Sequence, residues 1–289
     1  MSGREHISVL FQEVLDNLIS NESGIFVDAT IGGAGHALGL LSRNSKLHLI
    51  GIDRDQEALE RAQEALTAYS DRVTLLRGDF GDMKGLLHGA GVESIDGALF
   101  DLGISSYQLE SGRGFSFNDD EELDMRMDRR QDLTAYHIVN SYRQEEIAQI
   151  LYEYGEEWQS RRIAKAIFEG RKKGRIKTGR QLAEIIASAK KRTGKTHPAT
   201  KSFQALRIAV NDELRSLVKG MDGAIEVLSP GSRIGVITFH SLEDRIVKEH
   251  FRNDEALTVV TRKPVRPGLD EVRSNPRSRS AKLRIAQKK

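Results

Sequence analysis

The chain has 289 residues, 38% of them apolar and 30% charged, enough to bury a large core as one big domain or two smaller ones. The absence of cysteine excludes disulfides and cysteine-ligated zinc and fits a reducing compartment. A net charge of +2, apolar runs far shorter than a membrane span and a start that alternates charge with apolar residues instead of forming a signal-peptide core point to a cytoplasmic enzyme with no membrane partner.

Val9, Leu10, Val14, Leu15 and Leu18 recur at helical spacing, so residues 6–20 are expected to form a leading amphipathic helix. GIFVDAT, KLHLIGID, RVTLLRGD and IDGALFDLG follow as four short apolar runs, each ending near an aspartate, with helical segments such as QEALERAQEAL between them. That alternation predicts an α/β fold with a parallel, doubly wound sheet. From about residue 110 the strands stop, and EEIAQILYEYG, SRRIAKAIFEG and TGRQLAEIIASAKKR read as helices. The expected organisation is therefore a discontinuous sheet domain, 1–109 with 205–289, carrying an inserted helical domain over 110–204. SFQALRIAVNDELRSLV reads as one helix with Phe203, Leu206, Val210, Leu214 and Leu217 on its core face. Its polar residues Arg207, Asn211 and Asp212 either line a cleft or face solvent. SRIGVITFH and AKLRIAQ return to strands, and 261–280 reads as a long loop.

Charge is unevenly placed. Between Arg161 and Arg180 nine basic residues stand against one acid, Glu169, and from Thr261 to Lys289 ten stand against Asp270 and Glu271. Such blocks suit a polyphosphate partner, although a solvated surface explains either one alone.

The chemistry starts in the turn DATIGGAGH, between the first strand and a helix-like ALGLLS. Glycines there let backbone amides approach a ligand at a positive helix end. Counting from Gly33 gives G-A-G-H-A-L, with leucine where a dinucleotide fingerprint needs glycine, and His36-Ala37 cannot supply the lysine contact of a P-loop. NAD and ATP are both disfavoured. S-adenosylmethionine fits, with Asp53 in LIGIDRD as acceptor for its ribose diol, roughly 20 residues past the glycines. Phe80, after the third strand, is placed to cover adenine. The plainer readings make Asp53 a cap for the QEAL helix and Phe80 a core residue.

Methyl transfer itself belongs after the fourth strand, at Asp101 in ALFDLGISS, where reacting groups gather beyond the strand ends of open α/β sheets. If the nucleophile is an exocyclic base amine, its lone pair is delocalised into the ring, and a carboxylate accepting its N–H restores nucleophilicity. The alternative reading of Asp101 is a turn cap before Gly103. His240 in TFHSLEDR either touches the target base or belongs to a turn in which Ser241 and Asp244 form a capping box. Tyr107 either stacks on an extruded base or packs as a loop aromatic.

Seven motifs in order, HISVLFQEVL, DATIGGAGH, DLGISSYQL, GFSF with LDMRMD, HPATKSFQALRIAVNDEL, TFHSLEDRIVK and SAKLR, closely resemble the bacterial RsmH (MraW) methyltransferases over essentially the whole chain. The resemblance implies a class I S-adenosylmethionine-dependent methyltransferase with an inserted helical domain, acting on N4 of a cytidine in 16S ribosomal RNA within the small subunit. Its cofactor residues, carried over by motif, are Ala34, Gly35, His36, Asp53, Phe80, Asp101 and Gln108, with His36 acting through position and backbone; no metal is implied. Residues 121 and 122 are Glu-Glu where the family usually shows Gly-Pro before LDMRMD. DNA amino-methyltransferases usually carry a proline-proline-aromatic run after the fourth-strand acid, where this chain has L-G-I-S-S. An amino-methyltransferase of DNA or another substrate, and a non-catalytic RNA-binding relative, are the alternatives.

Overall fold

Every apolar run that ends in an aspartate becomes a strand, and its next neighbour in sequence is reached through a helix with one buried face. The computed structural model describes residues 8–19, 23–118, 120–190 and 196–289. The chain divides into two compact units, Met1–Gly103 with Leu214–Lys289, and Ile104–Glu213. The first begins with α1 (Phe11–Asn17), β1 (Ser23–Asp28), α2 (Gly35–Arg43), β2 (Lys46–Asp53), α3 (Gln56–Ala65), β3 (Val73–Arg77), α4 (Met83–Gly89) and β4 (Ile95–Asp101). The second unit is helical, with α5 (Ser106–Glu110), α6 (Ala135–Ser141), α7 (Gln144–Gly155), α8 (Ser160–Lys173), α9 (Gly179–Ala189) and α10 (Thr200–Asn211). The first unit then resumes through α11 (Glu213–Val227), β5 (Leu228–Thr238), α12 (Ser241–Asn253), β6 (Leu257–Val259), α13 (Leu269–Ser274) and β7 (Lys282–Lys288).

The seven strands form one sheet in the order β3-β2-β1-β4-β5-β7-β6. β1 to β5 pair in parallel, and β7 runs antiparallel to both β5 and β6. This is the parallel, doubly wound α/β sheet expected from the sequence, closed at one edge by an antiparallel strand pair. Alternate side chains leave the strands on opposite faces. Val27, Ile50 and Phe100 join Leu217, Met221 and Phe251 on one face, while Phe26, Leu49 and Leu99 join Leu10, Val14 and Leu40 on the other. A sheet buried on both faces needs apolar runs without polar alternation, which is why these strands were readable.

Three expectations change. The leading helix is shorter than 6–20, whose positions 6, 7 and 20 lie outside the described residues. It starts after Leu10, held at φ 53°, whose N–H donates to Glu271 Oε1 at 2.8 Å. The segment 261–280 is not a plain loop: it contains α13, a 3-10 turn over Pro276–Ser280, and a bridge from Val265 to Leu283. Asp270 and Glu271 suit the first turn of α13, since a helix N-terminus favours negative charge.

The third change is the largest. SFQALRIAVNDELRSLV is two helices, because Asp212 takes the left-handed conformation at φ 49° and ends α10. Aspartate and asparagine tolerate that conformation better than other side-chain-bearing residues. Phe203, Leu206 and Val210 therefore belong to the core of the second unit, and Leu217 to that of the first. The domain cut expected at 204/205 falls within α10, which packs on α6 and α7 and stays whole in the second unit. The cut expected at 109/110 likewise falls within α5.

The polar residues of this stretch fasten the fold. Arg207 grips Glu213 through two 2.8 Å hydrogen bonds across the break. Asn211, buried, donates to the carbonyl of Met125 at 2.8 Å and accepts from the N–H of Met127 at 2.8 Å, pinning the LDMRMD segment. Asn211→Ala leaves both backbone groups without their partner and is expected to destabilise the protein by about 2–4 kcal/mol, since orphaning a buried polar group loses ~1–3 kcal/mol each and relaxation recovers part. Thermal unfolding measures it; a melting temperature within a degree of wild type would show that this anchor is dispensable.

Candidate active site

In a sheet of this order the chain moves outward from β1 in one direction and from β4 in the other, which opens a crevice beyond the carboxyl ends of those two strands. The pairing register puts Asp28 at the end of β1, Asp53 at the end of β2 and Asp101 at the end of β4. Three carboxylates thus meet at the switch point, joined by Glu243 from the first turn of α12.

The glycine turn is built around them. Asp28 is 2% exposed and accepts the Thr30 N–H, while the Thr30 hydroxyl accepts the Asp101 N–H at 2.7 Å. Gly32 turns the chain at φ 48° and donates its N–H to Asp53 Oδ2 at 3.1 Å. Ala34, in a left-handed conformation, is the residue before α2. A methyl group at Gly35 would lie 2.0 Å from Ser8 Oγ, so any larger residue at the start of this helix displaces the Ser8 hydroxyl.

Asp53 receives the N–H groups of Gly32 and Asp55 on separate oxygens and leaves further lone pairs on both. The helix-cap reading of Asp53 passes to Asp55, which caps α3 by accepting the Glu57 N–H. Burial raises Asp28 to about 7 and Asp53 to about 6, against the hydrogen bonds that favour their ionised forms. Asp101 is pushed well above the usual carboxylate range, first by burial and then by Asp28 and Glu243. Its side chain keeps 26% exposure, but Oδ1 is buried and has no hydrogen-bond partner.

His36 joins this cluster through its side chain, not only its backbone. Its Nε2 lies 3.0 Å from the Val9 carbonyl, which can only accept, so that nitrogen carries a proton. Nδ1 then faces Asp101 Oδ2 at 3.6 Å, and Phe11 stacks on the ring. Phe80 is half-buried, meeting Phe100 edge to face at 5.5 Å, with the Arg54 guanidinium 5.6 Å from its ring centre. Asp79 sets this corner by accepting from Arg54, Gly81 and Ser216.

His240 is brought to the same strand ends, but its position is that of a cap. The expected Ser241–Asp244 box is shifted by one residue: His240 Nδ1 accepts the Glu243 N–H, and Glu243 Oε2 accepts the N–H groups of Phe239 and His240. Asp244 instead binds Lys282 and Arg284 of β7, both at 2.7 Å. Gln108 lies in the second unit, where its Oε1 accepts the Ser105 N–H in a capping box. Tyr107, on the same short helix, is 42% exposed.

The fold, the glycine turn and the carboxylates gather at one crevice beyond the strand ends. Residues 3–289 match the MraW methylase family. The chain belongs to that family. Ribosomal RNA small subunit methyltransferase H of Persephonella marina is 47% identical over 98% of this chain and 99% of its own length. The proteins of the same name from Brevibacillus brevis and Synechococcus elongatus are 46% and 48% identical, over 98% and 99% of this chain and 98% and 96% of their own.

For this MraW family member the structure adds residues that sequence reasoning missed. Asp28, Thr30 and Glu243 surround Asp101; they stand inside DATIGGAGH and TFHSLEDRIVK, but neither motif was read as giving them a role there. The signal for Asp28 was present, since it ends an apolar run in the same way as Asp53 and Asp101; Glu243 was hidden inside a capping pattern. The basic blocks also prove partly structural. Arg171 donates to the carbonyls of Val139 and Tyr142, Arg175 to that of Asn140, and Lys288 to that of Ile225. No helix among the described residues is long and apolar enough to cross a membrane.

Proposed function

We propose that this protein transfers a methyl group from S-adenosylmethionine to N4 of a cytidine in 16S ribosomal RNA, in the cytoplasm and on the small ribosomal subunit, with the helical second unit recognising the RNA. The observation that carries the reading is the buried Oδ1 of Asp101 at the switch point, which has no hydrogen-bond partner in the protein and suits a polar ligand group brought to it. Family membership and the names of the relatives support the RNA substrate.

S-adenosylmethionine supplies the methyl group already activated on a sulfonium. Asp53 offers lone pairs to a ribose diol, Ala34, Gly35 and His36 supply the backbone of the turn, and Phe80 offers an apolar ring to adenine. With a cationic cofactor beside it favouring its ionised form, Asp101 accepts an N–H of the target amine and draws electron density onto N4. When the new carbon–nitrogen bond has formed, the nitrogen carries a surplus proton, and Asp101 with His36 Nδ1 behind it receives it. In-line placement provides ~7–11 kcal/mol of the barrier lowering in such reactions, so little further machinery is demanded. A cysteine adduct, the usual route to ring carbon C5, is impossible in a chain without cysteine.

Nucleoside mass spectrometry tests this: 16S RNA from a strain lacking the gene is expected to lose one N4-methylcytidine, restored by purified protein and S-adenosylmethionine on isolated small subunits. Methylation on C5, or on DNA alone, would overturn it. Asp53→Ala is expected to weaken S-adenosylmethionine binding by roughly 10- to 100-fold, as hydrogen bonds to a charged acceptor contribute about 1.5–3 kcal/mol each. Calorimetric titration with an unchanged dissociation constant would remove Asp53 from the cofactor site.

A further inference from the structure

The second unit carries one group of side chains that its own core does not use. Trp158 is the only tryptophan in the chain, and it is 81% exposed. Tyr152, itself 52% exposed, meets it edge to face with ring centres 5.9 Å apart at 77°, and most of the indole stays open to solvent. A tryptophan can bury ~150–250 Å², so holding one outside the core forgoes much apolar burial. Trp158 stands one residue before the N-cap of α8, whose buried side is Ile163, Ala164 and Ile167.

The outer side of α8 is basic. Arg161, Lys165, Phe168 and Lys172 recur at four-, three- and four-residue steps and share one row, with Arg162 and Lys173 in the adjacent row. All five cations are exposed. Lys172 pairs with Glu169, the single acid of the helix, at 2.9 Å. Arg161, Arg162, Lys165 and Lys173 have no ion pair or hydrogen bond among the described residues. At the far end of the row Phe168 lies against Arg171 and Lys172, at 4.7 and 4.6 Å from its ring centre. The row from Arg161 to Lys172 spans about 16 Å at the helical rise. Cations at phosphate-like intervals with an aromatic at each end fit a strand whose backbone is anionic and whose bases are unpaired. A duplex would present no free base face to an indole held outside the fold.

We propose that Trp158 and Tyr152 form a stacking platform for one unpaired base of the RNA substrate, and that the exposed cations of α8 hold the neighbouring phosphates. The proposal rests on the RNA reading above and names the surface that recognises the strand. Acidic neighbours do not cancel it: Glu157 is buried in a pair with Lys190, and Glu153 is bonded by Gln149 at 3.0 Å.

Because Trp158 is the sole tryptophan, the fluorescence of the intact protein reports on this site alone. Titration with a single-stranded twelve-nucleotide RNA is expected to quench the emission, more weakly as salt rises, whereas the same sequence annealed into a duplex leaves it unchanged. Trp158→Ala should weaken single-strand binding about 5- to 100-fold, the range of one stacked base, and raise KM for small subunits with kcat retained. Trp158→Phe should recover most of that loss, and both variants should bind S-adenosylmethionine as wild type does. Arg161→Glu with Lys165→Glu should weaken binding and flatten its salt dependence. Absent quenching, equal quenching by duplex, or wild-type KM in Trp158→Ala while wild-type protein methylates normally would overturn the platform. Weakened binding to assembled subunits with unchanged binding to naked RNA would assign the surface to a ribosomal protein and equally overturn it. Failure of wild-type protein to methylate small subunits at all would instead strike the RNA reading itself.

Discussion

Asp101→Asn is expected to keep S-adenosylmethionine affinity within a few-fold while its turnover falls by about 10²–10⁴, the usual contribution of a positioned acid–base group. The amide preserves the shape and one acceptor oxygen, and the backbone N–H still reaches Thr30 Oγ1. It loses the charge that strengthens the bond to the target amine, and it cannot accept the proton left on N4. Charge-assisted hydrogen bonds are about twice as strong as neutral ones, so the two carboxylate roles fail together. Asp101→Ala should lose turnover and weaken cofactor binding as well, because it leaves a void beside His36 and no acceptor at the crevice. Single-turnover methylation of small subunits, with N4-methylcytidine read by mass spectrometry, separates the variants. Near-normal turnover in Asp101→Asn would mean that positioning by the backbone after β4 suffices and that the carboxylate charge is idle.

The second large effect is a pH dependence that reverses when the cofactor binds. Burial raises Asp28 to about 7 and Asp53 to about 6, from an ordinary value of 3.8. Between pH 4 and 7 the folded protein therefore holds protons that the unfolded chain has released, and its stability falls as pH rises through that window. For Asp28 alone the loss is about 4 kcal/mol once pH exceeds its folded value. A cationic ligand favours the ionised carboxylates, so S-adenosylmethionine should bind more tightly as pH rises from 5 to 8 and should release protons on binding. Asp28→Asn preserves the acceptor for Thr30 but has no charge to hide. It should raise the melting temperature of the ligand-free protein at pH 8, flatten the pH slope and weaken the cofactor. Thermal melts at three pH values, with and without S-adenosylmethionine, measure all three; an unchanged slope in Asp28→Asn would locate the pH dependence elsewhere.

Legibility in the sequence followed burial. β1, β2, β4 and β5 are covered on both faces, so their apolar runs stood out, and the aspartates ending the first three were visible as punctuation. β6 was missed because it has three residues and two of them, Thr258 and Val259, are exposed, leaving no pattern to read. The break at Asp212 was missed because the apolar spacing from Phe203 to Leu217 continues in phase across it, although the residues serve two different cores. Asp53 and Asp55 are both plausible caps on paper, and only the N–H directions distinguish them. Arg171 looked like a phosphate ligand since its partners are carbonyl oxygens, which leave no trace in side-chain composition.

Pairing of Asp101 with Ile237 joins β4 to β5 with the whole of Ile104–Glu213 in between. β4 and β5 can meet only after that long segment has been drawn into a loop, and each doubling of a loop's length adds about 0.6 kcal/mol of closure entropy. A helical second unit rich in local contacts condenses quickly and shortens the effective span before the sheet has to close. The inserted helices thus act as a folding aid for the crevice: whatever slows their collapse delays the meeting of Asp101 with Glu243, which stand on opposite sides of the insertion, even where no residue of the site is touched.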